Sequence, residues 1–374
     1  MDELTPKAKW TVTQPWRGLF GTAVTLWVAF AIAAAFDMQG FLGNFTLLIM
    51  SFVAIEVIMG LGWGGKFPSV AGWPQPWPGL FLTGFMIVVA TLAYFTLRAF
   101  VSGGAAHPAT NILAICVVIT TFFLVIAFGM WPFQKTTVPT RGFLTWLLAY
   151  VITYIIWQFF NFSLLSCPTG VSPSPIAPVP FYGPGGPLAP LAAFCPTGPI
   201  PWESIFSFYF WALLFLFVFV HLGMWPFSKS PGLMKQPVMG IVVTISCLIL
   251  SAIAQVISVQ VLSIEPLRHL LNGICYLFGM LFFLVMLQTW PGRALSQPGG
   301  GFLNVVLSIP IAIIAFYAIG AFCQWHFGKA FAYPASIFSM GNVMLGLTFP
   351  AWAAYGAFFD FWPLPPTPPP PGSK

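Results

Sequence analysis

Two ionisable side chains stand alone within long apolar segments of this sequence. Glu56 lies seven residues before Trp63, and His221 lies four residues before Trp225. An ionisable group inside a bilayer costs roughly 3 kcal/mol on insertion scales, so such a group is a functional candidate. Aligned on the two tryptophans, Glu56 and His221 lie about one helical turn apart in depth. A carboxyl group and an imidazole that met there could exchange a proton near neutral pH; the alternative is that each has its own local partner.

The remaining histidines are the candidates for a metal or haem site. His107, His269 and His326 lie at the predicted outer ends of three different apolar segments. Imidazole binds copper, zinc and haem iron, but these three residues belong to separate loops. The chain also lacks CxxCH, HExxH and Gly-rich phosphate-binding motifs. We therefore predict no cofactor, with haem or copper at these histidines as the alternative.

The elements that carry these residues must be membrane-spanning helices. Hydrophobic residues make up 59% of the 374 residues and charged residues only 5%. A soluble domain carries roughly 25% charged residues because its water-facing surface has to be covered. This composition excludes a soluble enzyme, a nucleic-acid-binding module and a disordered scaffold. It predicts an all-α integral membrane protein whose main partner is the lipid bilayer, with no nucleic acid.

Hydropathy divides the chain into ten segments of the length that crosses a bilayer, about 20 apolar residues each. Breaks rich in Pro and Gly separate them. We predict one transmembrane domain over residues 1–362 and a Pro-rich cytoplasmic tail over 363–374. The predicted segments are 18–36, 44–62, 80–102, 109–130, 143–163, 204–224, 238–262, 269–289, 302–323 and 335–359.

Lys and Arg, which are enriched in cytoplasmic loops, predict the orientation. With the N-terminus in the cytoplasm, ten of the 13 basic residues fall on that side and three on the other. An even number of segments then places the C-terminus in the cytoplasm as well. We predict a multi-pass protein of the cell (inner/cytoplasmic) membrane. The three basic residues on the outer side are Arg98, Arg268 and Lys329.

The longest loop, over residues 166–202, is extracytoplasmic in this topology. It contains the tetrapeptide Cys-Pro-Thr-Gly twice, beginning at Cys167 and at Cys195, and it contains no Lys or Arg. An oxidising compartment permits disulfides, and closing a loop of this length would stabilise the fold by about 3 kcal/mol through chain entropy. We predict a Cys167–Cys195 disulfide in this loop; two free thiols are the alternative.

A short motif recurs where the even-numbered segments end. Trp131-Pro132-Phe133 is followed by Lys135, and Trp225-Pro226-Phe227 is followed by Lys229. Trp favours the headgroup region, Pro ends a helix, and Lys reaches the anionic inner surface, so the motif suits the cytoplasmic interface. The pattern predicts five repeated helical hairpins. The other three copies begin at Trp63, Trp290 and Trp362.

These motifs resemble those of poorly characterised bacterial multi-pass proteins with recurring Trp-Pro-Phe loops, some of which are labelled amino-acid transporters. The resemblance rests on the two Trp-Pro-Phe motifs and on Lys235-Gln236-Pro237-Val238-Met239-Gly240. It covers the hairpin pattern and implies a multi-pass membrane protein. It assigns no binding residue.

The function that these observations favour is transport of a small organic solute, with Glu56 and His221 as candidates for proton coupling. Ten membrane segments and isolated intramembrane ionisable groups are typical of transporters. The alternative is a non-catalytic subunit of a larger respiratory, metal-oxidase-like or pigment complex, whose aromatic surface binds partner helices. Membrane-protein partners or a homo-oligomer fit both hypotheses. An enzyme is less favoured because the chain has no evident paired carboxylates or nucleophile–base set.

Overall fold

Ten helices in the described part of the chain are long and apolar enough to cross a membrane, which confirms the prediction of a multi-pass, all-α membrane protein. The structure is a computed structural model that describes residues 13–70, 72–165 and 180–365. Residues 366–374 of the predicted tail lie outside these ranges. The helices are α1 (Trp16–Ala33), α2 (Met38–Gly62), α3 (Trp77–Phe100), α4 (Pro108–Ala127), α5 (Val138–Trp157), α6 (Trp202–His221), α7 (Val238–Val261), α8 (Pro266–Met286), α9 (Gly299–Ala330) and α10 (Ala335–Phe358).

Most helices begin a few residues before the predicted segments. Helix α5 begins at Val138, five residues before the predicted start at 143. The first turns of α3, α4, α5 and α8 contain a proline, which is tolerated there because the first N–H groups of a helix have no intrahelical acceptor. Hydropathy does not register these turns because they contain few apolar residues.

The ten helices form two concentric rings. The even-numbered helices pack side by side in chain order, and α10 closes this inner ring by packing against α2. The odd-numbered helices lie outside, each in the groove between two inner helices. Between 56% and 89% of the residues in the most apolar part of each inner helix are buried, against 22% to 33% in the outer helices. The outer ring therefore provides the lipid-facing surface.

The same offset in packing recurs around the bundle. Helix α3 packs against α2 and α10, α5 against α4 and α2, and α7 against α6 and α4; α9 packs against α8 and α6, and α1 against α10 and α8. Each outer helix thus packs mainly against the inner helix that precedes it around the ring and against the inner helix one step further back. Among the described residues, only those of α9 also have a substantial contact with the inner helix that follows, α10.

Each inner helix ends in a turn with two consecutive residues in the left-handed backbone region. After four of the helices this pair precedes a Trp-Pro sequence, whereas after α2 it precedes Lys66 and Phe67. In backbone conformation Trp63 therefore corresponds to Phe128, the residue that directly follows α4, and not to Trp131. The pairs are Gly64 and Gly65, Gly129 and Met130, Gly223 and Met224, Gln288 and Thr289, and Asp360 and Phe361.

A glycine in the first turn of each outer helix packs against one of these helix ends. A Cβ atom on Gly240 would lie 2.3 Å from the ring of Phe128, and one on Gly79 would lie 2.5 Å from the ring of Phe359. Carbon atoms pack at about 3.5–4.0 Å, so only glycine fits. The equivalent contacts join Gly142 to Trp63, Gly18 to Met286 and Gly301 to His221.

Glutamines that precede three of the outer helices stabilise the same contacts with the inner helix ends. The side-chain amide of Gln236 donates to the carbonyl oxygen of Ala127 at 2.7 Å, near the end of α4. Gln75 and Gln14 donate in the same way to the carbonyl oxygens of Phe358 and Met286, at 2.8 and 3.0 Å. These carbonyls lie in the last turn of a helix, where the C=O groups have no intrahelical N–H partner. The glutamines therefore join the two rings at this end of the bundle.

The predicted Cys167–Cys195 disulfide is not formed in the structure. Cys195 carries a free thiol, whose Sγ donates to the carbonyl oxygen of Leu191 at 3.6 Å, and burial raises its pKa to about 11. Cys167 lies outside the described residues. The described parts of this loop are held by a two-residue parallel pairing of β1 (Phe160–Asn161) with β2 (Ile200–Pro201).

Candidate functional site: an axial cavity in the inner ring

The inner ring encloses a cavity of about 60 Å³ that all five inner helices line. We call it the axial cavity. Its walls are aliphatic and aromatic side chains such as Val53, Ile119, Leu213 and Leu277. Among the described residues, Asn342 on α10 is the one polar side chain in the lining, and Gly341 contributes only backbone. The cavity therefore offers dispersion contacts over most of its surface and hydrogen bonds at one place.

Stacked aromatic rings close one end of the axial cavity. We call it the loop end, because the α5–α6 loop lies there. Phe338 belongs to the lining, and its ring lies 6.0 Å from that of Trp202. Trp202 stacks in turn on Phe162, also at 6.0 Å. Trp202 and Phe162 are almost completely buried. Phe162 and Trp202, at the two ends of the α5–α6 connection, thus form a lid over this end of the inner ring.

A second aromatic cluster closes the opposite end, where the Trp-Pro turns lie. Phe122 and Phe349 line the cavity, and their rings lie 6.0 Å apart. Phe217 packs edge-on against Phe122 at 5.1 Å. The three rings come from α4, α10 and α6. A rotamer change in any of them alters the width of the ring at this level, so the cluster is a candidate gate.

Asn342 is held in one orientation by its neighbours. Its Nδ2 donates to Oγ1 of Thr46 on α2 at 2.7 Å, and the same Thr46 Oγ1 donates its only proton to the carbonyl oxygen of Phe41 at 2.8 Å. Because the hydroxyl proton is committed to Phe41, Thr46 can only accept from Asn342. This requires the amide nitrogen of Asn342 to face Thr46. Its Oδ1 then remains as an acceptor to which no described residue donates.

Helix α2 is interrupted next to this polar contact. Gly43 has non-helical backbone angles, φ −91° and ψ −113°, and the carbonyl oxygens of Leu42 and Gly43 accept hydrogen bonds from Nδ2 of Asn111 at 2.7 and 3.2 Å. Broken helices recur at the substrate sites of membrane transporters. Thr46 and Asn111 each lie four residues before a lining residue of their own helix, so the interruption lies towards the loop end of the axial cavity.

Glu56 is completely buried but does not line the axial cavity. The backbone of Ala354 on α10 lies beside its carboxyl group. Neither carboxyl oxygen makes a hydrogen bond of good geometry with the described part of the chain. An unpaired carboxylate in such a place is costly, so the group holds a proton or recruits a cation or water.

The structure does not bring His221 to Glu56. Nε2 of His221 donates to the carbonyl oxygen of Met280 on α8 at 3.1 Å, so the imidazole has its own partner. Helices α2 and α6 are not neighbours in the inner ring. Counted from the left-handed pairs, Glu56 precedes Gly64 by eight residues and His221 precedes Gly223 by two. The six-residue difference is about 9 Å in depth at 1.5 Å per residue.

The other three histidines occupy separate places. Nδ1 of His107 lies 2.8 Å from the Tyr182 hydroxyl, and burial lowers the pKa of His107 to about 4. His269 stacks on Trp211 at 4.4 Å, and Nε2 of His326 donates to the carbonyl oxygen of Phe36 at 2.8 Å. Among residues 13–70, 72–165 and 180–365, no three His, Cys, Asp or Glu side chains come close enough to hold a metal ion.

Comparison with known proteins supplies no template for the site. The chain matches no protein-family model, no curated protein and no solved structure. A function for the axial cavity therefore has to be argued from the side chains and helices described above.

Trp131, Lys135, Trp225 and Lys229 lie in the turns at the Trp-Pro end, where the sequence analysis placed an interfacial motif. Both lysines are exposed and close a single turn of 3-10 helix. The element Pro-x-x-Gly recurs before or within the first turn of each outer helix, and its glycine makes the contact between the rings. It occurs at 15–18, 76–79, 139–142, 237–240 and 298–301.

Proposed function

We propose that this chain is a membrane transport protein that moves a small organic solute along the axis of its inner ring. The observation that carries the proposal is the axial cavity, which all five inner helices line and which aromatic clusters close at both ends. Alternating access needs a site that can be separated from both sides of the membrane. Opening the Phe122 cluster or the Trp202 lid would then expose the cavity to one side at a time.

The proposal includes five repeated helical hairpins with both termini in the cytoplasm. The recurring packing offset, the paired left-handed residues and the glycine contacts support the repeat. The excess of Lys and Arg at the Trp-Pro end supports the orientation in a cell (inner/cytoplasmic) membrane. Repeats with an even number of spans are related by an axis along the membrane normal, and the axial cavity would lie on that axis.

Proton coupling is assigned in this proposal to Glu56 and not to a Glu56–His221 pair. Glu56 is buried, makes no well-formed hydrogen bond with the described part of the chain and lies beside α10, the helix that contributes Phe349 to the gate. Gain or loss of a proton at Glu56 changes the charge buried between α2 and α10. His221, which is bonded to Met280, serves to join α6 and α8.

Reconstitution of the purified protein in liposomes, with uptake of a panel of labelled small solutes, tests the proposal. We expect saturable uptake of at least one solute above the rate of empty liposomes. Leu277→Phe, which adds volume inside the axial cavity, should reduce that uptake at least tenfold, whereas Leu80→Phe on the lipid-facing side of α3 should leave it unchanged. Equal uptake by the two variants would refute transport through the cavity.

A second candidate function is that of a non-catalytic subunit of a larger membrane complex. A groove of about 650 Å³ opens between α3 and α5, with Leu92, Leu147 and Tyr154 in its walls, and these three side chains are exposed at the outer surface of the bundle. Such a groove could receive a partner helix or a pigment. Purification from native membranes with other chains at fixed stoichiometry, together with no uptake of any solute, would favour this function.

A further inference from the structure

We infer that the axial cavity binds a small neutral solute that carries a hydrogen-bond donor, such as a short aliphatic amide, and that Asn342 is the residue that determines this specificity. The inference rests on the proposed transport function and deepens it. It concerns the chemistry of the site, which the cavity lining and the bonds around Asn342 define.

The lining argues against a charged solute. No Asp, Glu, Lys, Arg or His side chain belongs to it, and Glu56 and His221 lie elsewhere in the bundle. An ion that leaves water for an apolar cavity loses its hydration, and here it would find no counter-charge. An amino-acid zwitterion carries two such groups. The cavity therefore does not suit an amino acid, which is the substrate class named for some proteins with similar Trp-Pro-Phe loops.

Asn342 defines which polar group the solute must present. Its Nδ2 is engaged with Thr46, and the direction of that bond is set by the Thr46 hydroxyl, which donates to Phe41. Oδ1 of Asn342 receives no hydrogen bond from the described part of the chain. The single polar side chain of the cavity thus offers an acceptor, which an N–H or O–H donor of the solute satisfies.

The volume of the axial cavity limits the size of the solute. A dry cavity of about 150 Å³ accommodates benzene, and the axial cavity measures about 60 Å³. The closed state is therefore smaller than benzene or propionamide, so a solute of this size enters only as the aromatic rings at one end of the cavity move apart. Propionamide has one amide group and a short alkyl chain, and propionate is its charged counterpart of nearly the same shape.

The test measures the binding of propionamide, propionate and alanine at pH 7 to the full chain in nanodiscs, by ligand-detected NMR with empty nanodiscs as the blank. We expect saturable binding of propionamide, and at least about 100-fold weaker binding of propionate and of alanine, whose charges the cavity cannot solvate. Asn342→Leu should weaken propionamide binding about tenfold, the effect of one lost hydrogen bond. Asn44→Leu is the matched control, because Asn44 bonds Tyr94 on α3 outside the cavity.

Each outcome separates this inference from the transport proposal. Propionate or alanine bound as tightly as propionamide, or alanine carried into liposomes, would overturn the inference and leave transport standing. Selective propionamide binding without uptake would support the inference and remove transport. Should Asn342→Leu fail to fold, Thr46→Val provides a second variant, which frees the amide to rotate and should weaken propionamide binding more than Asn44→Leu does. Equal effects of these two variants would overturn the role of Asn342.

Discussion

Replacement of Gly240 by alanine tests the contact between the rings directly. The new methyl group would lie 2.3 Å from Cδ1 of Phe128 and 2.5 Å from two further ring carbons. Since carbon atoms pack at about 3.5–4.0 Å, the start of α7 or the end of α4 has to move by more than 1 Å. Overpacking of this kind lowers the free energy of unfolding by about 1–3 kcal/mol.

Gly84 on α3 is the matched control for this substitution. A Cβ atom there meets nothing within 4 Å, so Gly84→Ala should retain the helix-propensity gain of about 1 kcal/mol. Both substitutions carry this gain, so the two alanine variants should differ by the overpacking cost alone, about 1–3 kcal/mol. The measurement is the thermal unfolding of both variants in one detergent, followed by size-exclusion chromatography.

A double variant identifies the contact responsible. Leucine occupies the position of Phe128 after α6 and α8, as Leu222 and Leu287, so Phe128→Leu should be tolerated. Combined with Gly240→Ala, it removes the ring that the new methyl group strikes and should restore part of the lost stability. Equal stability of Gly240→Ala and Gly84→Ala, or a double variant no more stable than Gly240→Ala alone, would refute the close packing of α7 on α4.

Four further predictions follow from the same structure. Because burial holds the pKa of His107 at about 4 against an ordinary value of 6.5, the unfolded chain binds a proton that the folded chain does not. Stability should be full above pH 6.5 and fall by about 3 kcal/mol towards pH 4; His107→Gln should flatten this decline, and an unchanged slope would contradict the assignment. Glu56→Gln should flatten the pH dependence of solute uptake, and an unaltered profile would exclude Glu56 as the coupling group. A cysteine placed at Lys135 should react with an impermeant reagent only after cells are permeabilised; labelling of intact cells would reverse the orientation. Mass spectrometry without reductant should recover Cys195 as an alkylated free thiol, and its recovery joined to another cysteine would contradict the free thiol seen in the structure.

The site was only partly readable from the sequence, for a physical reason visible at Trp63. Alignment on tryptophan placed Glu56 and His221 near one depth, because Trp63 and Trp225 are the same residue type at the ends of apolar segments. In the structure Trp63 fills the position of Phe128 and Leu222, where it packs against Gly142. The left-handed pair that follows each inner helix gives the correct alignment, and its residues are as different as Gly64, Met130 and Thr289. Backbone conformation was shared where residue identity was not.

Ten membrane-spanning helices and their connecting turns were determined by the sequence alone, because a bilayer requires about 20 apolar residues per span and Pro and Gly end each span. The two rings were decided by the tertiary structure. Lipid tails are as apolar as a protein core, so a helix that faces lipid and one that faces other helices have similar composition. Helix α9 is more apolar than α10, yet α9 lies outside and α10 inside. The axial cavity depends on that arrangement, since its walls come from five helices that only packing brings together.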